Sequence, residues 1–108
     1  MENDINESAI KLLKELIEEM HLIVFLFQSG YDNAATTEVS LTTNKLTEAI
    51  KLIDNNKLIE IDYSILNVIF INITKAIERK NNVLIYDIFE YELEPILYSW
   101  LLEILGNK

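Results

Sequence analysis

The sequence predicts an all-α fold: a single four-helix up-and-down antiparallel bundle that spans residues 1–108 as one domain. The chain has only two glycines and one proline, which are too few for a β protein with many tight turns. Hydrophobic residues make up 50% of its 108 residues, which is enough material for one core. These residues recur every three or four positions, which is the period of an amphipathic helix.

The first predicted helix runs from Asp4 to Gln28. Its polar face carries oppositely charged pairs one turn apart, such as Lys11 with Glu15, which stabilise an exposed helix surface. Ser29 and Gly30 should end the helix, because glycine readily takes the left-handed conformation of a helix C-terminus. Its apolar positions are Ile5, Ala9, Leu12, Leu13, Leu16, Ile17, Met20, Ile23, Val24 and Phe27.

The second predicted helix lies within residues 32–56, although its first half is rich in threonine and serine. These residues are mediocre helix formers. Ala35, Val39, Thr42 and Leu46 nevertheless keep the helical spacing. The polar run at residues 54–57 should form the following turn.

The segment at residues 58–73 is compatible with a strand or a helix. It is rich in β-branched residues, and its first part alternates. No glycine or proline interrupts it, and Ile65, Ile69 and Ile73 keep helical spacing, so we predict a third helix that starts near Asp62 or a few residues earlier.

Apolar residues lie on more than one side of this third helix, which is typical of a helix that is central in a fold or shared with another chain. We predict that the side away from the isoleucine row forms an interface with a second copy. The predicted self-interface residues are Leu66, Phe70 and Ile71.

The fourth predicted helix begins after the turn at Asn81 and Asn82 and ends at Gly106. Pro95 lies inside it. Proline lacks an amide hydrogen and crowds the carbonyl four residues earlier, at Tyr91, so we expect a bend.

Carboxylates and tyrosines share one side of this helix before and after the proline, and we call this side the acidic tyrosine face. Like charges one turn apart, at Glu90 and Glu94, are mildly unfavourable and favour a nearby cation or donor. Tyrosines are common at protein interfaces, so the face is a candidate partner-binding surface; a plain solvated face is the alternative. Glu92 should lie nearer the core. The members of the acidic tyrosine face are Asp87, Glu90, Tyr91, Glu94 and Tyr98.

Metal binding is an alternative function that the carboxylates raise. Glu18 and His21 form one Glu-x-x-His motif, but di-metal bundles need two copies, and the chain has one histidine. A site that joins His21 to Glu94 or Asp87 stays conceivable. We predict no metal and no cofactor. The aromatic residues predicted for the core are Phe25, Phe27, Phe70, Phe89 and Trp100.

Several other function classes lack support. The chain has no cysteine and a net charge of −9, which excludes thiol chemistry and disfavours binding to nucleic acid or to an anionic membrane. Its acidic start is unlike a signal peptide, so we expect a cytoplasmic protein. No nucleophile elbow or phosphate loop is present, and we expect no enzyme.

The segment D-I-F-E-Y-E-L-E-P-I-L-Y-S-W at residues 87–100 is similar to the end of some small uncharacterised bacterial helical proteins. Their pattern is D-x-x-E-Y-E-x-x-P-x-L-x-x-W. The resemblance implies the same helical fold and no known activity. The chain also resembles flagellar export chaperones in size, charge and helix count, a likeness of fold class alone. We therefore predict a protein–protein interaction module that acts as a homodimer or as a chaperone-like or adaptor-like binder. The residues that match the pattern are Asp87, Glu90, Tyr91, Glu92, Pro95, Leu97 and Trp100.

Overall fold

A computed structural model describes the backbone of residues 2–107 and the side chains of residues 4–107. All regular structure in this range is helical, which confirms the predicted all-α bundle. The last three elements follow one another without a break and together form the fourth helix. The elements are α1 (Glu2–Gln28), α2 (Asp32–Asn55), α3 (Tyr63–Glu78), α4 (Asn82–Ile88), a π-helical turn (Phe89–Leu93) and α5 (Glu94–Gly106).

The first helix, α1, packs closely against α2 on one side and against the fourth helix on the other. The fourth helix runs antiparallel to α1. Phe27 near the end of α1 meets Tyr86 in α4, with ring centroids 6.2 Å apart, whereas the earlier His21 meets the later Glu94. This register determines which side chains share a surface.

A polar cluster fixes the α1–α2 interface. Lys45 Nζ lies 2.5 Å from Glu19 Oε1 and 3.5 Å from Glu15 Oε2. The buried Thr42 hydroxyl donates to the other Glu19 oxygen at 3.5 Å. The hydrogen bond to Glu19 raises the pKa of Lys45 above its usual value, against the opposing effect of desolvation. Although threonine is a mediocre helix former, Thr42 therefore serves as a hydrogen-bond donor to Glu19 inside the interface.

The third helix begins at Tyr63, close to the predicted start, and the strand alternative for residues 58–73 is wrong. Asp62 is its N-cap residue. The Asp62 carboxylate accepts hydrogen bonds from the Ser64 and Ile65 amides at 3.1 and 3.4 Å. Such caps satisfy backbone donors that the first helical turn leaves free.

The predicted phase of α3 is wrong in one respect: Leu66 is only 1% exposed and cannot belong to an open self-interface. The isoleucine row that we expected to be buried advances by four residues at each step. Each such step exceeds a full turn by about 40°, so residues spaced four positions apart shift progressively around the helix. Ile65 therefore leaves the core and is half exposed. The residues that α3 does bury, in three-four-three steps, are Leu66, Ile69, Ile73 and Ala76.

Of the other two predicted self-interface residues, Phe70 is partly buried against the core and Ile71 is 53% exposed. Ile65 and Val68 are exposed to similar extents, 50% and 57%. Three exposed apolar side chains of α3 are therefore three residues apart, at positions 65, 68 and 71, and Tyr63 and Ile77 are exposed as well.

The expected bend of the fourth helix takes the form of a π-helical turn just before Pro95. The Glu94 amide donates to the Phe89 carbonyl, five residues back. The proline follows at the first turn of α5, where a missing amide hydrogen is tolerated.

Spacing of the core residues explains why the π turn is needed. In a regular α-helix the buried Ile85 of α4 and the buried Leu97 of α5, twelve residues apart, would differ in direction by about 120°. A π turn winds more residues into each turn, so it delays the rotation and brings the buried residues of α4 and α5 onto one core. The same delay moves Glu92, which we placed near the core, into solvent.

Candidate functional site

On the acidic tyrosine face, the carboxylates are partly buried and the tyrosine rings are exposed. Asp87, Glu90 and Glu94 are partly buried. Tyr91 is 70% exposed and Tyr98 is 51% exposed. The tyrosines thus offer rigid contact area to solvent, while the carboxylates lie closer to the neighbouring helix.

A contact between α1 and α5 that sequence could not show anchors this face. His21 Nε2 and Glu94 Oε1 form a hydrogen-bonded pair across the two helices. The histidine side chain is 62% exposed and that of the glutamate 19%. His21, which we raised only as a conceivable metal ligand, is therefore part of the face.

One more exposed aromatic residue lies one helical turn from this pair. Phe25 lies one turn beyond His21 on α1, and Tyr91 lies one turn before Glu94 on the fourth helix, so both are at the same level of the bundle. Phe25 is 60% exposed, so our prediction of a core position for it is wrong. Its sequence signal was weak, because it sits within the apolar run at residues 22–27.

The metal-binding alternative gains the His21–Glu94 contact, but the described residues place no third ligand beside it. His21 and Glu94 meet as that hypothesis required. Among the described side chains of residues 4–107, however, no group of three or more histidine, aspartate or glutamate residues is placed to hold a metal ion.

A groove between α3 and the fourth helix is the second notable surface. The third helix packs closely on α4 but not along α5, and the gap opens at the level of Glu92. It consists of two adjoining parts of about 340 and 510 Å³ that share Ile65 and Ile96. We call it the α3–α5 groove. Its lining residues are Glu60, Asp62, Ser64, Ile65, Val68, Ile69, Glu92, Pro95, Ile96, Ser99, Trp100 and Glu103.

The comparison with known protein families gives one match. A domain of unknown function, DUF8042, matches residues 4–103 of the chain, which is nearly its whole length. The chain belongs to the DUF8042 family. No curated protein and no solved structure shows a significant match to it.

Membership of DUF8042 agrees with the expected likeness to uncharacterised small proteins, and it carries no activity to this chain. The terminal sequence pattern and the bacterial origin stay predictions. Within the described part of this DUF8042 domain, no helix has the length and apolar character needed to cross a membrane.

Proposed function

We propose that this DUF8042 domain is a non-enzymatic protein-binding module that takes its partner on the acidic tyrosine face. The supporting observation is that the rings of Phe25, Tyr91 and Tyr98, each one helical turn from a member of the His21–Glu94 pair, are all exposed. Aromatic side chains that surround partly dehydrated polar groups resemble the anchor regions of protein interfaces.

Pre-organisation favours this surface over an ordinary solvated face. The pair joins two helices, so the rings on either side are carried by rigid elements held in a fixed register. Rigid aromatic anchors lose little side-chain entropy when a partner binds. A solvated face would need neither the cross-helix pair nor the exposed rings.

Self-pairing through α3 is the second form that we propose for the same function. It now rests on Ile71, which is 53% exposed, rather than on the buried Leu66. Exposed apolar side chains of this kind occur at contact surfaces.

Site-specific photocrosslinking tests the proposal. A benzophenone amino acid would replace Tyr91 in one variant and Leu41 in a control variant. Leu41 is 56% exposed on α2 and lies outside the face. Both variants would be irradiated in cells of the source organism and, separately, as purified protein.

We expect a discrete adduct from position 91 that is absent from position 41 and is suppressed by excess unmodified chain. An adduct of twice the chain mass in the purified sample would identify a second copy as the partner. Equal adducts from both positions, or none from position 91 in either sample, would contradict the proposal.

A further inference from the structure

We propose that the α3–α5 groove is a docking site for a basic amphipathic helix of another protein. This surface is separate from the acidic tyrosine face. The groove lies where α5 faces α3, whereas Glu94 faces α1. The two proposals can therefore fail independently.

Apolar side chains form the floor of the groove. Ile69 and Trp100 are almost fully buried beneath it, and Ile96 is partly buried. Ile65 and Val68 stand at its edge and are 50% and 57% exposed. A partner that covers these two side chains would remove apolar surface from water, which is the main favourable contribution to association.

Length and shape of the groove fit a helix. Its fourth-helix side extends from Glu92 to Glu103, which is about 16 Å or three helical turns at 1.5 Å per residue. An amphipathic helix that lies in an apolar groove presents anchors on one face at three-four spacing. A three-turn segment therefore matches the available floor.

Charge around the groove indicates the chemistry of the partner. Its rim carries four carboxylates, at Glu60, Asp62, Glu92 and Glu103, and among the described residues no lysine or arginine lines it. The whole chain has a net charge of −9. A basic helix would be attracted to this rim, whereas a second copy of this acidic chain would be repelled.

The groove exists because α3 packs on α4 but not along α5. The gap begins at the π turn, and Pro95 lies on its wall. Core spacing requires the π turn, so the groove follows from the packing of the fourth helix.

Trp100 makes the test direct, because it is the single tryptophan of the chain and lies on the groove floor. The probe is a synthetic 14-residue amphipathic helix of leucine and lysine without tryptophan. Its titration would be followed by Trp100 emission. A peptide of the same composition with scrambled order controls for charge attraction alone.

The matched variants are Val68→Glu and Leu41→Glu, which place the same charge at sites of nearly equal exposure, 57% and 56%. Circular dichroism would confirm that both variants fold. We expect saturable one-to-one binding of the amphipathic peptide. Val68→Glu should weaken it about tenfold or more, because it places a charge where the peptide would cover an apolar side chain, and Leu41→Glu should leave it nearly unchanged.

Three results would overturn the proposal: equal binding of the scrambled peptide, equal loss in both variants, or no change of Trp100 emission up to millimolar peptide. None of them bears on crosslinking from Tyr91. A failed groove and a failed acidic tyrosine face therefore give different observations.

Discussion

At the scale of single residues, Asp62 shows how one side chain determines where an element begins. It precedes a β-branched segment that is compatible with a strand, yet its carboxylate accepts from the Ser64 hydroxyl at 2.6 Å and from two backbone amides. The hydrogen bond from the Ser64 side chain, followed by that from the Ile65 amide, lowers the pKa of Asp62 below its usual 3.8. The ionised form is therefore preferred in the folded state.

This pKa predicts a pH dependence of stability. Because the folded pKa lies below the unfolded value, the charge contributes stability that is complete above the unfolded pKa of about 3.8. That contribution is lost as the pH falls through the folded pKa. In Asp62→Asn the cap remains but the charge is removed. We expect the variant to melt below the wild type at neutral pH, and the difference to shrink below about pH 3.8 and to vanish once the pH is below the folded pKa.

Melting curves recorded by circular dichroism across this pH range would measure the difference. Glu48→Gln is the matched control, because it removes one exposed negative charge from the middle of α2. It should show no comparable change with pH. A difference for Asp62→Asn that stays constant down to the lowest pH would show that the charge of Asp62 does not stabilise the fold.

At the scale of elements, the π turn shows where local sequence patterns stop being sufficient. Phe89, Leu93 and Leu97 are four residues apart and all buried, so in a regular α-helix they would drift away from one side. The turn corrects this drift, and Pro95 sits where the hydrogen-bond ladder is already interrupted. Core packing, more than the proline alone, is thus the reason for the irregularity.

A pair of substitutions separates these two causes. We expect Pro95→Ala to keep the π turn and to change the free energy of unfolding by about 1 kcal/mol or less. Leu93→Ala removes a fully buried side chain and should cost about 2–5 kcal/mol. Leu102→Ala, at a position 59% exposed on α5, is the control and should stay within about 0.5 kcal/mol.

Urea denaturation would measure all three variants, and a crystal structure of Pro95→Ala would show whether the Glu94 amide still donates to the Phe89 carbonyl. A large gain in stability for Pro95→Ala, with the Glu94 amide donating to the Glu90 carbonyl instead, would mean that proline imposed the turn against the preference of the core.

These elements also indicate how far the sequence predicts the structure. Helix existence was predictable because the apolar period repeats within each segment, even through the threonines of α2. The phase of α3 was not, because Ile65 and Leu66 each begin an acceptable row, and only packing against other helices selects one. The His21–Glu94 pair depends on the register of α1 against α5, which no single segment encodes. The available signal for the π turn was the set of apolar residues spaced four positions apart, Phe89, Leu93 and Leu97, next to Pro95.

At the scale of the whole molecule, net charge distinguishes self-pairing through α3 from the binding of a basic helix in the α3–α5 groove. Each chain carries a net charge of −9 on a body of 43 × 25 × 19 Å. Two copies repel one another over a range that salt controls: the screening length falls from about 30 Å at 0.01 M to about 3 Å at 1 M salt. A basic helix in the α3–α5 groove is attracted over the same range.

Opposite responses to salt therefore follow for the two partners. We expect the dimer fraction from light scattering to rise between 0.01 and 1 M salt, because screening removes the repulsion while the apolar contact persists. Affinity for the leucine–lysine peptide should fall over the same interval. Ile71→Glu should abolish the dimer, and Leu41→Glu, at a similarly exposed position, should not. A mass that stays monomeric at every salt concentration would contradict self-pairing through α3 and leave another protein as the partner, whereas peptide affinity that rises with salt would show that the rim carboxylates take no part in recognition.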